Sequence, residues 1–295
     1  MKKIALCLAP CMALLTVSVA VAQDTPTPPP AMIQIYREEV KPGRTAAHAK
    51  TEAAFARDFK AAKASPNYTA LVSVTGPDEA WFIARYDSYA AYGKDQKDTD
   101  SNPALKAVLD RDSAADGELL STERSIVARY RADLSYRPGV SVPLTRFMTI
   151  AIVRVRPGHN SDYEDARKII KAAHEKLALK FNYSVYQVQS GMAAGTFFVL
   201  TYYKTMADLD AVADIHGKAY EDAIGDDGRK KLSELASSGT IATDTMLMAV
   251  DAKMSYPNKE TIDADPAFWA PKPSATMGGA ASTKMPPPPK APAKQ

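Results

Sequence analysis

Hydrophobic and polar positions first alternate at Ile33 and Ile35, and the run is broken by Lys41-Pro42-Gly43. A period of two followed by Pro-Gly predicts a half-buried strand and its end. Thr51, Phe55, Phe59 and Ala62 then share one face at helical spacing. Two strands follow over 67–75 and 80–86, joined by Gly76-Pro77-Asp78, a connection short enough for a hairpin. Ser101-Asn102-Pro103 opens a further helix with proline at its first position. A closing strand is predicted over 125–136. Ile126, Ala128, Tyr130, Ala132 and Leu134 alternate there with Val127, Arg129, Arg131 and Asp133.

The same pattern is written a second time. Val40-Lys41-Pro42-Gly43 recurs as Val155-Arg156-Pro157-Gly158, and Asn67-Tyr68-Thr69 as Asn182-Tyr183-Ser184, both at a shift of 115. Gly76 matches Gly191 at that shift. Trp81-Phe82-Ile83 matches Phe197-Phe198-Val199 at 116, and Leu134-Ser135-Tyr136 matches Met254-Ser255-Tyr256 at 120. Matches in order with small drifts indicate an internal duplication. In the second copy Ser161-x-x-Glu164 reads as a capping box, followed by the apolar face Tyr163, Ala166, Ile170, Ala173 and Leu177. The predicted fold is α+β: two ferredoxin-like βαββαβ repeats over 31–137 and 147–257, with a linker at 138–146.

A strand ending in V-[KR]-P-G, a helix, an aromatic-rich hairpin and a closing strand resemble the dimeric α+β barrel superfamily. That superfamily includes antibiotic-biosynthesis monooxygenase-like and NIPSNAP-like proteins. The resemblance implies that the two repeats form one pseudo-dimeric barrel within a single chain. It does not fix a function, because the same barrel carries unrelated chemistries. Haem-binding relatives, the chlorite dismutases and dye-decolourising peroxidases, hold iron with a helix histidine. The resemblance therefore makes His174 and His216 candidate haem ligands, beside the expectation of no cofactor.

The ends read differently. Met1-Lys2-Lys3, an apolar stretch over 4–22 and Ala20-Val21-Ala22 form the pattern of a secretory signal peptide, so export to the periplasm or the extracellular space is expected. Both cysteines, Cys7 and Cys11, fall within it. The expected mature chain of 295 − 22 = 273 residues then holds no disulfide and no thiolate site. A Pro-rich linker at 23–30 precedes the first repeat, and a Pro/Ala-rich tail over 258–295 reads as disordered. No membrane span is expected after processing. With 46% hydrophobic and 24% charged residues and a net charge of +3, the balance is globular and lacks the basic stripe of a nucleic-acid binder.

No G-x-G-x-x-G, Walker A, G-x-S-x-G or H-E-x-x-H motif is present. Asp98-x-Asp100-x-Asn102 opens like a calcium loop, but Pro103 and Leu109 stand where such a loop needs Gly and Glu. If the mixed-polarity strand faces point inward, Tyr36, Trp81, Arg85 and Arg129 line a cavity in the first repeat. Aromatic and guanidinium groups together suit a small aromatic or anionic ligand. Alternatively Arg129 and Arg131 form a solvated face. Three functional classes remain open: a small-molecule binding protein, a cofactor-independent monooxygenase-like enzyme, and a structural or stress-related envelope protein. Self-association is compatible with each.

Overall fold

Eight strands close into one barrel in the order β1-β3-β2-β8-β5-β7-β6-β4. The structure is a computed structural model that describes residues 26–270, except 214 and 216. The first repeat runs β1 (Met32–Val40), α1 (Thr45–Ala62), β2 (Tyr68–Ser73), β3 (Glu79–Tyr86), α2 (Tyr89–Asp100), α3 (Pro103–Gly117) and β4 (Leu120–Tyr130). The second runs β5 (Phe147–Val155), α4 (Asn160–Lys176), β6 (Tyr183–Ser190), β7 (Thr196–Tyr203), α5 (Ala207–Ala213), α6 (Lys218–Glu234) and β8 (Thr240–Tyr256). Each repeat supplies a four-stranded sheet, β4-β1-β3-β2 and β8-β5-β7-β6, the order of a ferredoxin-like unit. The sheets join where β2 pairs with β8 and β4 with β6, all antiparallel. Two ferredoxin-like repeats of one chain thus close a single α+β barrel, the arrangement that the resemblance implies.

Strand pairing fixes which residues are equivalent. Met32 of β1 opposes Tyr86, and Phe147 of β5 opposes Tyr203. The shift is therefore 147 − 32 = 115 for the first strand but 203 − 86 = 117 for the third. Trp81 corresponds to Phe198, not to Phe197 as the sequence match suggests. Both rings are buried inside the barrel and meet edge to face at 5.7 Å.

The interior is a packed core. Ile33, Ile35, Leu71, Trp81, Ile126, Ile150, Phe198 and Met248 are among its buried members. The opening left at one end holds about 60 Å³ and is bordered by Pro29, Pro30, Val140 and Val142. Thr27 pairs with Val140 there, so the 26–30 part of the expected linker belongs to the fold.

The closing strand of the first repeat begins at Leu120 and ends at Tyr130, and Ala132–Leu134 is a 3-10 turn. Ser161 caps nothing: α4 begins at Asn160, and Glu164 instead pairs with Arg131 at 2.6 Å. The expected tail is ordered as far as residue 270. It forms α7 (Lys259–Ala264) and α8 (Pro266–Trp269), and Trp269 joins the barrel core. The expected signal segment, 1–22, and the tail beyond 270 lie outside the described residues. Among the described residues, no helix is long and apolar enough to cross a membrane.

Candidate functional site

A cavity lies outside the barrel, between the first repeat's sheet and its helices. It holds about 370 Å³, within the range of small-molecule sites, about 300–1,000 Å³. The sheet floor presents Gln34, Tyr36 and Glu38 from β1 and Phe82 and Ala84 from β3. These alternate positions face the helices because successive strand residues point to opposite sides. Phe55 and Phe59 of α1 form one wall, and Leu109 and Ser113 of α3 the other. Phe59, Tyr68 and Phe82 continue as edge-to-face contacts, Phe59 to Tyr68 at 5.7 Å and Tyr68 to Phe82 at 5.9 Å.

One end of this cavity is made of ionisable groups. Helix α1 turns His48 and Glu52, one turn apart, toward the sheet. Glu38 comes up from β1, and Asp116 comes from the last turn of α3. All four are buried. His48 Nε2 is 2.9 Å from Glu38 Oε2 and 3.7 Å from Asp116 Oδ1. Glu52 lies within hydrogen-bonding reach of Asp116, yet Asp116 Oδ1 itself has no hydrogen-bond partner. Burial raises the Glu52 carboxyl to about 10, and the charges of Glu38, Asp116, Asp112 and Glu123 push in the same direction. Burial likewise raises Asp116 to about 6, although His48 opposes the shift. Like charges and a low-dielectric setting both disfavour ionisation. The neighbouring Tyr68 hydroxyl is also pushed up, by burial first and then by Glu52 and Glu38.

The second repeat lacks this arrangement. At the shift of 115, Glu38, His48 and Glu52 become Val153, Tyr163 and Arg167. Tyr163, which stands where the first repeat has His48, packs on Phe197 with ring centroids 4.4 Å apart. Arg167 lies over the Tyr183 ring at 4.6 Å.

The four predicted pocket residues do not converge. Tyr36 lines the outer cavity. Trp81 points the opposite way, into the barrel, and is fully buried. Its Nε1 donates to Glu79 Oε2 at 2.8 Å, and Arg37 both stacks over the indole at 5.1 Å and pairs with Glu79 at 2.6 Å. The indole partner expected from a ligand is therefore a carboxylate of the protein. Arg85 is exposed at the small barrel opening, where Nη2 donates to the Pro28 carbonyl at 3.3 Å. Arg129 is exposed on the outer sheet face. The reason is one of parity: Tyr36 and Arg129 occupy the helix-facing side, whereas Trp81 and Arg85 occupy the inner one.

Haem does not fit at His174. The ring is buried and stacks on Tyr220 at 5.6 Å, with Tyr136, Phe181 and Tyr183 around it. Its Nε2 is 3.3 Å from the Tyr220 hydroxyl. The outer cavity, the barrel opening and the third cavity of about 320 Å³ beside Phe181 are not lined by it. A porphyrin held by Nε2 would have to displace the Tyr220 ring. His216 lies outside the described residues.

Known proteins resemble the chain at a distance. No protein-family model matches it, and no curated protein matches it. Among solved structures it is similar to an anthrone oxidase-like protein, at 11% identity over 75% of this chain and 91% of that one, with a TM-score of 0.49. It is similar to an encapsulated DyP-type peroxidase from Mycobacterium smegmatis, at 9% identity over 85% and 99%, with a TM-score of 0.47. A heme-binding protein from Thermus thermophilus matches at 10% identity over 79% and 97%, with a TM-score of 0.43. At this distance the chemistry has to come from the chain's own residues.

Sequence reasoning missed the His48 cluster. Its signal was present as His48-x-x-x-Glu52 on one helix face, with Glu38 in register with Gln34 and Tyr36 on β1. The replacement of all three acidic or imidazole positions in the second copy marks them further.

Proposed function

We propose that the protein binds a small aromatic molecule in the outer cavity of its first repeat. The observation that carries this reading is the 370 Å³ space itself, walled by Phe55, Phe59, Tyr68 and Phe82. Its lining includes Glu38, Glu52, Asp116 and Glu123 and no Lys or Arg. An anion would meet repulsion at that end, so the anionic half of the sequence expectation gives way to a neutral or cationic ligand. A phenol or aromatic amine suits it: the ring covers the aromatic wall and its N–H or O–H donates to Gln34 or a carboxylate.

Calorimetric titration with a panel of phenols, aromatic amines and aromatic carboxylates tests the reading. The first two classes bind and the carboxylates do not. Ser113→Trp, which fills the cavity from α3, abolishes the heat. Binding that survives Ser113→Trp, or that favours carboxylates, overturns it. Oxygen uptake on adding a phenol would extend binding to cofactor-independent oxygenase chemistry in the same cavity.

We also propose that this binding takes place outside the cytoplasm, which the signal-like pattern of residues 1–22 supports. Intact mass of protein from the envelope fraction begins at or near Gln23 on this reading. A mass that retains Met1–Ala22 contradicts it.

A further inference from the structure

We infer that Glu38, His48, Glu52 and Asp116 form a binding site for a divalent first-row transition cation. The four side chains come from three elements, β1, α1 and α3, and their donor atoms all lie within 4.8 Å of one another. Two donors about 2.1 Å from a shared ion stand about 3.0–3.5 Å apart at octahedral or tetrahedral angles. The separations of 2.9 Å and 3.7 Å from His48 Nε2 to its two carboxylate neighbours bracket that range. Small side-chain rotations would therefore bring the donors onto one ion.

A second, independent observation points the same way. Asp116 is only 4% exposed, yet its Oδ1, which faces His48, has no hydrogen-bond partner. A buried carboxylate oxygen left unsatisfied costs about 1–3 kcal/mol or more, and a cation would answer it. The local charge balance is also one-sided. Three carboxyls share the pocket with a single imidazole. A group of buried acids without a Lys or Arg among them is costly unless a proton or a cation neutralises it.

The donor set selects the ion. Three carboxylates and one imidazole suit Mn²⁺, Fe²⁺ or Zn²⁺. Calcium prefers six to eight oxygens at longer distances, and an imidazole does not suit it. Glu38, Glu52 and Asp116 also line the outer cavity. The ion would stand at one end of that space, beside whatever occupies it. The metal site does not depend on the small-molecule reading, because its ligands are the chain's own residues.

The test uses the purified full chain, stripped with a chelator and dialysed. It is titrated with Mn²⁺, Zn²⁺, Mg²⁺ and Ca²⁺ by calorimetry near neutral pH, with thermal unfolding in parallel. One equivalent of Mn²⁺ or Zn²⁺ binds and raises Tm, as any ligand specific to the folded state must. Mg²⁺ and Ca²⁺ bind more weakly. His48→Gln and Asp116→Asn each weaken binding at least about tenfold. Glu52→Gln and Asp116→Asn relieve repulsion, so the stripped variants unfold at or above the wild-type temperature while losing the metal-dependent rise. That combination separates lost ligation from a damaged fold. The inference fails if neither Mn²⁺ nor Zn²⁺ is taken up, if Ca²⁺ binds equally well, or if His48→Gln and Asp116→Asn bind as tightly as the wild type. Ser113→Trp, which blocks the small-molecule cavity at α3, leaves metal uptake intact, so the two readings can fail separately.

Discussion

Ser135 and Ser255 make the same hydrogen bond at opposite seams of the barrel. Ser135 Oγ accepts the backbone N–H of Val185, at 2.9 Å, and Ser255 Oγ accepts that of Ala70, at 2.8 Å. Val185 and Ala70 are equivalent positions, since 185 − 70 = 115. Each serine also donates to a carbonyl four residues earlier, Arg131 or Asp251. The recurring Leu/Met-Ser-Tyr triplet is thus a clasp by which the end of each repeat holds the second strand of the other. Flanking Leu134 and Met254 are buried beneath it.

Removing a clasp should cost stability without touching the cavity. Ser135→Ala or Ser255→Ala leaves a buried backbone N–H unpaired, a loss of about 1–3 kcal/mol. The two sites share no partner, so the double variant should lose close to the sum. Urea denaturation measures this. A double variant no worse than one single variant would show that the two seams do not act independently.

The Glu52 carboxyl predicts the pH dependence of the cation-free protein. Its folded-state value, about 10, stands above the usual 4.5. The folded state therefore holds a proton that the unfolded chain gives up. The corresponding stability is fully present below pH 4.5 and is lost progressively as pH rises toward 10, by up to about 1.4 kcal/mol per unit. Glu52→Gln removes the group. Its stability, measured by urea unfolding in chelator between about pH 5 and 8, should fall less steeply than that of the wild type and exceed it at the upper end. Parallel curves would remove Glu52 as the cause.

Trp81 and Phe55 should separate stability from binding. Trp81→Ala empties the barrel centre beside Phe198 and leaves Glu79 and Arg37 without the indole. A loss of about 3–5 kcal/mol is expected, with aromatic-ligand affinity in the outer cavity unchanged for the protein that remains folded. Phe55→Ala, on the cavity wall, should weaken the ligand and cost less stability. Equal effects of both variants on affinity would mean that the ligand sits inside the barrel after all.

The barrel was legible because it depends on patterns that residue types repeat. The V-[KR]-P-G strand end, the hairpin and the Ser135 and Ser255 triplets each recur, which shows the duplication, and the resemblance they carry implies the barrel. The candidate site was not legible for a reason of parity. Tyr36 and Trp81 alternate with apolar neighbours in ways that do not say which face is the core. In β1 both faces carry apolar residues, Ile33 and Ile35 inward and Met32 and Val40 outward. The inner face also takes Arg37, neutralised by Glu79, so polarity alone pointed the wrong way. For α1, Phe55 and Phe59 suggested an apolar packing face, whereas the residues buried against the sheet are His48, Glu52 and Ala56. Burial of ionisable groups in a cluster is a tertiary fact that helical spacing alone does not show.

The segment after β8, expected from its composition to lack structure, packs onto the barrel instead. Trp269 is 5% exposed and joins the barrel core, with Ile262 and Phe268 against the same cluster. Its Nε1 donates to the Pro143 carbonyl at 2.9 Å, and Arg146 pairs with Asp265 while lying over the Phe268 ring at 3.7 Å. These contacts tie the segment to the linker between the repeats and to the start of β5. The segment therefore acts as a plug that finishes a core whose strands alone leave one end uncovered. Trp269→Ala should cost about 3 kcal/mol, the low end for a buried indole because water can enter at the barrel end. A chain ending at Pro257 should lose at least as much and expose the rims of Met148 and Val250 to an environment-sensitive apolar dye. Native emission should also come from two buried indoles, Trp81 and Trp269, and should shift to the red in the fraction due to Trp269 only when the plug is released. A truncated chain that keeps wild-type stability and takes up no dye would show that the strands close the core without it.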